Sequence, residues 1–204
     1  MRFFVLVLML FGLAGCAAAP ASQLDPVMVP PLVTVTPFAD SRYFIVERDA
    51  VFRIAGADRP VVVPAGFVTD FASIPRAFWS GLSPHGQYSR AAVLHDYLYW
   101  TQSCSRVQAD RLFLLMMKQS GVSPADRKTI YHTTRAAGEV AWQHNIADRQ
   151  AGFVRVIPDG HRDVPSTAIW PAYRKRLRDA GVRPPRAEPD APYCKLADMA
   201  EDAE

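Results

Sequence analysis

The sequence predicts an α+β domain in which a small N-terminal antiparallel sheet packs with a bundle of about three helices. Two observations lead to this prediction. Short runs of β-branched and aromatic residues, separated by turn residues, fill positions 32–63, as is typical of strands. Helix caps and apolar residues at helical spacing follow from position 87 onwards. Strands that are followed by helices along the chain indicate the α+β class.

The extended segments share β-branched and aromatic residues, and they are 33–36, 43–46, 51–54 and 61–63. Gly56-Ala-Asp lies between the last two and has the residue types of a turn. These two segments are therefore predicted to form a β-hairpin within an antiparallel sheet of three or four strands.

The predicted helices come after the strands, at about 87–102, 105–120 and 124–144. Ser105 and Gln108 have the spacing of a capping box at the start of the second helix. Gly121 is a suitable residue to follow its last turn. Ser123 and Pro124 then restart the chain as a helix, with a cap and a proline in the first turn.

Residues 1–15 have the organisation of an export signal. Arg2 precedes an apolar run from Phe3 to Leu13, which matches the charged and apolar regions of a secretory signal. The run is shorter than the roughly 20 apolar residues that a membrane-spanning helix needs. The segment Leu13-Ala14-Gly15-Cys16 resembles the bacterial lipobox. We therefore expect a lipoprotein signal peptide and lipidation of Cys16 as the first mature residue.

Lipidation of Cys16 implies a cell-envelope protein that is anchored to a membrane without crossing it. A diacylglycerol and a further chain such as palmitate exceed the single chain that gives only reversible attachment. Ala17 rather than Asp follows the cysteine, which by resemblance to Gram-negative lipoproteins implies the outer membrane, facing the periplasm. Residues 16–31 are rich in Ala and Pro and are expected to be the lipidated tether. The alternative is an ordinary signal peptide that is cut near Ala17-Ala18-Ala19.

Composition limits the partners and the extent of the domain. The net charge is +3 and no basic stripe with interleaved aromatic residues is present, so no nucleic-acid partner is expected. The membrane is the expected contact, and the sequence identifies no protein partner. One globular domain is expected over residues 32–150. Repeated prolines in residues 151–204 predict a Pro-rich C-terminal extension that is partly disordered.

Two cysteines remain besides Cys16. Cys104 and Cys194 are an even pair in an oxidising compartment, where a disulfide is possible. Two free or buried thiols are the equal alternative. A disulfide would tie the C-terminal segment to the helices.

Three ordered motifs follow the predicted strands. They are Gly66-Phe-Val-Thr-Asp-Phe-Ala-Ser-Ile-Pro75, His95-Asp96-Tyr-Leu-Tyr99 and Asp110-Arg-Leu-Phe113. Together they resemble a bacterial and phage family known as domain of unknown function 1353. Its members share G-F-x-T-D-x-A-S-x-P, H-D-x-x-Y and D-x-x-F. The resemblance covers about residues 40–142 and implies no particular activity, because none is established for the family.

The later motifs place three ionisable side chains on two neighbouring helices. His95 and Tyr99 are four residues apart and share a helix face. Asp110 lies within the apolar stripe of the next helix, where an unpaired charge is unfavourable. A connection of about three residues makes these helices antiparallel neighbours. We therefore expect Asp110 to reach the ring of His95 and to hold its tautomer, as an acid does in a hydrolytic dyad.

The spacing H-D-x-x-Y with an acid on an antiparallel helix is also similar to secreted phospholipase A2, particularly its shorter bacterial forms. That resemblance implies His95 as the general base, oriented by Asp110 and Tyr99, and Asp96 as a calcium ligand. The chain lacks the Gly-rich loop that holds calcium in those enzymes. A metal, calcium or zinc, would instead use Asp70, His95 and Asp96.

Two functions stay open at this stage. The first is a hydrolase of envelope material, either lipid ester or cell wall, with the His95/Asp110 dyad. The second is a non-catalytic binding or assembly module of the envelope or of a phage-related machine. In that case His95 and Asp110 form a buried hydrogen-bonded pair that fixes helix register, Arg106 and Arg135 pair with the acids of this cluster, and Asp70 is a turn or cap residue. Three other histidines, His132, His144 and His161, lack a companion at ligand spacing and are expected on the surface or in the core, whereas His85 lies in the turn before the first helix.

Overall fold

The computed structural model describes residues 30–54, 57–71, 86–186 and 189–199. The expected signal peptide, Cys16 and most of the tether lie outside these ranges. The end of the first motif, from Ala72 to Pro75, lies outside them as well.

Within the described ranges, five short strands form two antiparallel sheets. The strands are β1 (Val35–Pro37), β2 (Phe44–Val46), β3 (Ala50–Phe52), β4 (Val61–Val63) and β5 (Val68–Thr69). One sheet has the order β1-β2-β5, and β3 and β4 form the predicted hairpin beside it. The expected single sheet is thus divided in two. Gly66, with φ of +84°, turns the chain after β4, and its N–H donates to the Val46 carbonyl, which brings β5 onto β2.

The described helices are α1 (Ser89–Thr101), α2 (Arg106–Gln119), α3 (Pro124–Gln150), α4 (Trp170–Asp179) and α5 (Cys194–Met199). The capping box of Ser105 and Gln108 is confirmed, and so is the Ser123 cap. Helix α3 continues six residues beyond its predicted end, and α4 and α5 were not predicted. No helix within the described ranges combines the length and apolar character that crossing a bilayer requires.

The three-stranded sheet is covered on both faces. Neighbouring residues of a strand point to opposite sides, and β2 shows this directly. Val46 packs into the main core with α1 and α2. Ile45 packs into a second core together with Val68, Trp170 and Tyr173.

Residues 151–182 therefore complete the domain, and the expected boundary at residue 150 is wrong. This segment places five apolar side chains in the second core, namely Val154, Ile157, Trp170, Tyr173 and Leu177. The prolines limit the regular secondary structure of this segment. The segment still packs against the domain, because its apolar side chains cover a sheet face that would otherwise meet water. Pro171 is accommodated in the first turn of α4, where no N–H is needed.

A disulfide joins Cys104, just before α2, to Cys194 at the start of α5. Helix α5 packs against α2. The C-terminal segment is therefore linked covalently to the region that leads into α2, the helix that carries Asp110.

Candidate functional site

The side chains of His95, Asp110 and Tyr99 meet between α1 and α2. His95 Nε2 lies 2.9 Å from Asp110 Oδ1, and the Tyr99 hydroxyl donates to the same oxygen at 2.6 Å. His95 is 2% exposed and Asp110 has no exposed surface. The contact expected from the helix spacing is therefore present, and the catalytic role of these residues stays a prediction.

Two arginines approach the other oxygen of Asp110. Arg106 Nη1 donates to Oδ2 at 3.3 Å, and Arg135 Nη1 is 3.7 Å from that oxygen. Arg106 also pairs with Glu139 at 2.9 Å. The buried carboxyl group thus has counter-charges as well as hydrogen-bond donors, which offsets the cost of its burial.

Aromatic rings hold the imidazole of His95 in place. The Phe113 ring stacks on it with centroids 4.6 Å apart, and the Tyr99 ring lies at 4.1 Å. Burial and the neighbouring Asp110 raise the pKa of the Tyr99 hydroxyl, so this tyrosine stays a hydrogen-bond donor. The imidazole is therefore packed against two aromatic rings as well as hydrogen-bonded to Asp110.

A cavity of about 240 Å³ lies beside His95 and Tyr99, between α1, α3 and the chain beyond residue 150. His144 and Ala137 line it and are exposed, so it communicates with solvent. Other polar side chains that line the cavity are Tyr43, Asp70, Asp96, Thr134, Asn145, Asp148, Arg155 and Arg174.

Asp96 lines the cavity next to His95 in sequence and is 7% exposed. The Thr69 hydroxyl donates to Asp96 Oδ2 at 2.5 Å. Burial and the negative charge of Asp70 raise the pKa of Asp96 to about 6, although Arg155, Thr69 and His95 act in the opposite direction.

Asp70 forms an ion pair with Arg155, 3.1 Å from Oδ1 to Nη2. The chain around Arg155 runs antiparallel to β5, since the Val68 N–H donates to the Arg155 carbonyl and the Ile157 N–H to the Gly66 carbonyl, both at 2.8 Å. A Cβ on Gly66 would collide with the Ile157 carbonyl, so only glycine permits this approach. Burial lowers the pKa of Arg155, but Asp70 and Asp96 outweigh it and the pKa is raised.

The metal site expected from Asp70, His95 and Asp96 needs correction. Among the residues that the structure describes, no three His, Cys, Asp or Glu side chains are grouped to hold an ion. Each of the three expected ligands has another partner: Arg155 for Asp70, Asp110 for His95 and Thr69 for Asp96. The residues present do not fit the calcium site that the phospholipase resemblance implied.

Sequence reasoning missed the cavity wall that α3 and the later chain provide. Arg155 and Arg174 come from the segment that was expected to be an extension, and His144, expected on the surface or in the core, lines the opening. A signal existed in α3, where positions at helical spacing are small or polar instead of apolar; they are Thr134, Ala137, Gly138, Ala141, Asn145 and Asp148. Such a face is typical of a wall beside a cavity rather than of a packed core.

Comparison with known proteins finds a family whose sequence profile matches part of this chain. Residues 44–134 match the sequence profile of a family described as protein of unknown function (DUF1353). An uncharacterized protein, y4jT, of Sinorhizobium fredii (strain NBRC 101917 / NGR234) is 37% identical over 78 residues, which are 37% of this chain and 23% of that protein. The similarity thus spans about a quarter of the length of the relative. No solved structure matches the chain.

The matched range holds His95, Asp96, Tyr99 and Asp110, whereas Arg155 and Arg174 lie beyond it. Over residues 44–134, which supply His95, Tyr99 and Asp110 and part of the cavity lining, this chain is similar to the DUF1353 family.

Proposed function

We propose that this protein is a hydrolase of the bacterial envelope in which His95 is the general base and Asp110 its orienting acid. The observation that carries the proposal is the 2.9 Å contact between His95 Nε2 and Asp110 Oδ1 beside a solvent-accessible cavity of about 240 Å³. A general base must lie within hydrogen-bond reach of both its orienting group and its substrate water. A closed, dry network would support no such chemistry.

In the proposed mechanism, the hydrogen bond to Asp110 selects which imidazole nitrogen carries the hydrogen. A carboxylate accepts hydrogen bonds, so Nε2 of the neutral imidazole carries the hydrogen and Nδ1 is the nitrogen that takes a proton. Nδ1 removes a proton from water as the water oxygen attacks the ester carbonyl carbon. The imidazolium then returns that proton to the departing alkoxide oxygen when its bond to carbon breaks, releasing an acid and an alcohol.

Replacement of His95 by Gln tests this mechanism, because glutamine keeps a polar side chain of similar length but takes up no proton. We expect hydrolysis of p-nitrophenyl butyrate and of fluorogenic phospholipid vesicles to fall at least about a hundredfold in kcat. His132→Gln, at an exposed position of α3, is the matched control and should leave the rate unchanged. Retention of full activity by His95→Gln would remove His95 from the mechanism.

A non-catalytic binding or assembly module is the second candidate. The observation in its favour is that Asp110 is wholly buried and has two arginines beside it, as in networks that fix helix register. Under this alternative the wild-type protein hydrolyses none of the probes, and His95→Gln lowers the free energy of unfolding by about 2–4 kcal/mol. Activity and urea denaturation measured on the same variants therefore separate the two functions.

We further propose that Cys16 carries the lipid that anchors this hydrolase in the outer membrane, facing the periplasm. The support is the lipobox-like segment Leu13-Ala14-Gly15-Cys16 after an apolar run. Growth with radiolabelled palmitate should label the wild-type protein and leave Cys16→Ala unlabelled. Label that persists in Cys16→Ala would contradict this assignment. The Ala17→Asp variant should stay labelled but move to the inner-membrane fraction.

A further inference from the structure

Gly138 occupies a place in α3 where a side chain would meet the dyad. A Cβ built on Gly138 would overlap the Tyr99 hydroxyl oxygen, and would lie 3.3 Å from Cζ and 3.5 Å from Cε1 of that ring. Gly138 is within a regular helix and its φ is not positive. The glycine is therefore required for space and not for backbone conformation.

The Tyr99 ring has little freedom to move away. Its hydroxyl is held by Asp110 at 2.6 Å. The Trp142 ring meets it edge-on with centroids 5.1 Å apart, and the His95 ring lies at 4.1 Å. The Asn145 side chain donates to the Tyr99 carbonyl at 3.2 Å, so the backbone of α1 is fixed to α3 as well. A methyl group at position 138 would have to break the Tyr99–Asp110 hydrogen bond or separate the helices.

We infer that Gly138 is a positioning residue for the dyad. Because glycine has no side chain, the Tyr99 hydroxyl has the room it needs to stay hydrogen-bonded to Asp110. Through that hydrogen bond, α3 sets the direction in which Asp110 presents its Oδ1 to His95. The catalytic consequence of this inference rests on the proposed function, whereas the packing of Gly138 against Tyr99 does not.

A double-mutant cycle tests the inference with Gly138→Ala, Tyr99→Phe and the double variant. Alanine favours helix more than glycine does, so helix propensity alone predicts a higher melting temperature for Gly138→Ala. We expect the opposite, a melting temperature lowered by about 3 °C or more. In the Tyr99→Phe background the hydroxyl is gone, and the same substitution should lose most of its effect.

The NMR chemical shifts of the His95 ring report on the dyad itself, and general destabilisation of the fold would not change them. The imidazole nitrogen and proton chemical shifts of Gly138→Ala should shift toward those of Tyr99→Phe. Hydrolysis of p-nitrophenyl butyrate should fall about tenfold in kcat with KM unchanged. The control is Ala136→Gly, which changes helix propensity at an exposed position of α3 and should leave the His95 signals as in the wild type.

The outcomes distinguish this inference from the proposed function. Additive melting temperatures in the cycle, or unchanged His95 signals in Gly138→Ala, would overturn the positioning role even if the wild-type protein is an active hydrolase. Non-additive temperatures with no wild-type hydrolysis would overturn the hydrolase and leave Gly138 as the residue that positions Tyr99. If Gly138→Ala does not fold, recovery of folding in the double variant supports the inference, and its failure to recover refutes it.

Discussion

Asp110 accepts hydrogen bonds from His95, Tyr99 and Arg106 although it has no exposed surface. A buried carboxylate that lost its partners would be costly, and partners that lost the carboxylate would be left as uncompensated charges or donors. At the residue scale, stability and the proposed chemistry thus depend on the same side chain.

Asp110→Asn should lower the free energy of unfolding by about 2–4 kcal/mol, because Arg106 and Arg135 lose a buried counter-charge. Urea denaturation measures the loss. Asp148→Asn is the matched control, since Asp148 is 34% exposed and pairs with Arg174 at 2.9 Å. A loss of only about 1 kcal/mol or less is expected there. Equal losses in the two variants would contradict the special role of Asp110.

Asp96 makes the stability depend on pH. Its pKa is raised by burial and by Asp70 to about 6, so between about pH 4 and pH 6 the folded state binds more protons than the unfolded state. The protonated Asp96 carboxyl group therefore contributes to the free energy of unfolding at acidic pH, and this contribution is lost as the pH rises to about 6. Asp96→Asn mimics the protonated form, and its stability relative to the wild type should improve by roughly 2 kcal/mol from pH 4 to pH 7. Parallel pH profiles for the two proteins would refute this prediction.

At the scale of single elements, short-range chemistry accounts for where α2 and α3 begin. The Ser105 hydroxyl accepts from the Gln108 N–H at 3.2 Å, and the Gln108 side chain accepts from the Ser105 N–H at 3.0 Å. Because α2 carries Asp110, a capping box that fixes the first turn of α2 also fixes the position of the Asp110 side chain along the helix axis. The caps could be read from sequence because they involve residues only three apart.

Ser105→Ala should cost about 1 kcal/mol of unfolding free energy, since it leaves an N–H at the start of α2 without its acceptor. Thermal and urea denaturation both measure it. Thr129→Ala removes a hydroxyl from an exposed interior position of α3 and should be neutral or slightly stabilising. The prediction is wrong if the two substitutions have the same effect.

Helix α4 illustrates why other elements escaped prediction. It spans only Trp170–Asp179, with Pro171 in its first turn, within a chain rich in proline. An isolated helix of that length is marginal in water, so packing rather than propensity stabilises it. Packing partners such as Phe38, whose ring is 5.5 Å from that of Trp170, are distant in sequence.

For the whole molecule, the second core decides where the domain ends. Trp170 is 1% exposed, and Trp170→Ala should lower the free energy of unfolding by about 3–5 kcal/mol. We expect a single cooperative transition in calorimetry, because residues 151–182 and the sheet share one core. Ile169→Ala, at a position that is 46% exposed, should change little. If Trp170→Ala left the free energy of unfolding nearly unchanged, that result would instead support the domain boundary that the sequence predicted at residue 150.

The disulfide acts at the same scale, since it closes a loop between residues 90 apart in sequence. Replacement of both Cys104 and Cys194 by Ser should lower the free energy of unfolding by about 3–5 kcal/mol. Dithiothreitol should lower the melting temperature of the wild type toward that of the double variant. It should leave the double variant unchanged, and a reductant effect on that variant would refute the assignment.

The sequence by itself determined the α+β class, the hairpin, the helix caps and the meeting of His95 with Asp110. Those features follow from periodicity and from short connections, and the two dyad residues are only 15 apart. Only the tertiary structure decided the cover on the second face of the sheet, the Asp70–Arg155 pair and the fit of Gly138 against Tyr99. Asp70 and Arg155 are 85 residues apart, and such contacts depend on how separate elements pack, which no local pattern of residues encodes.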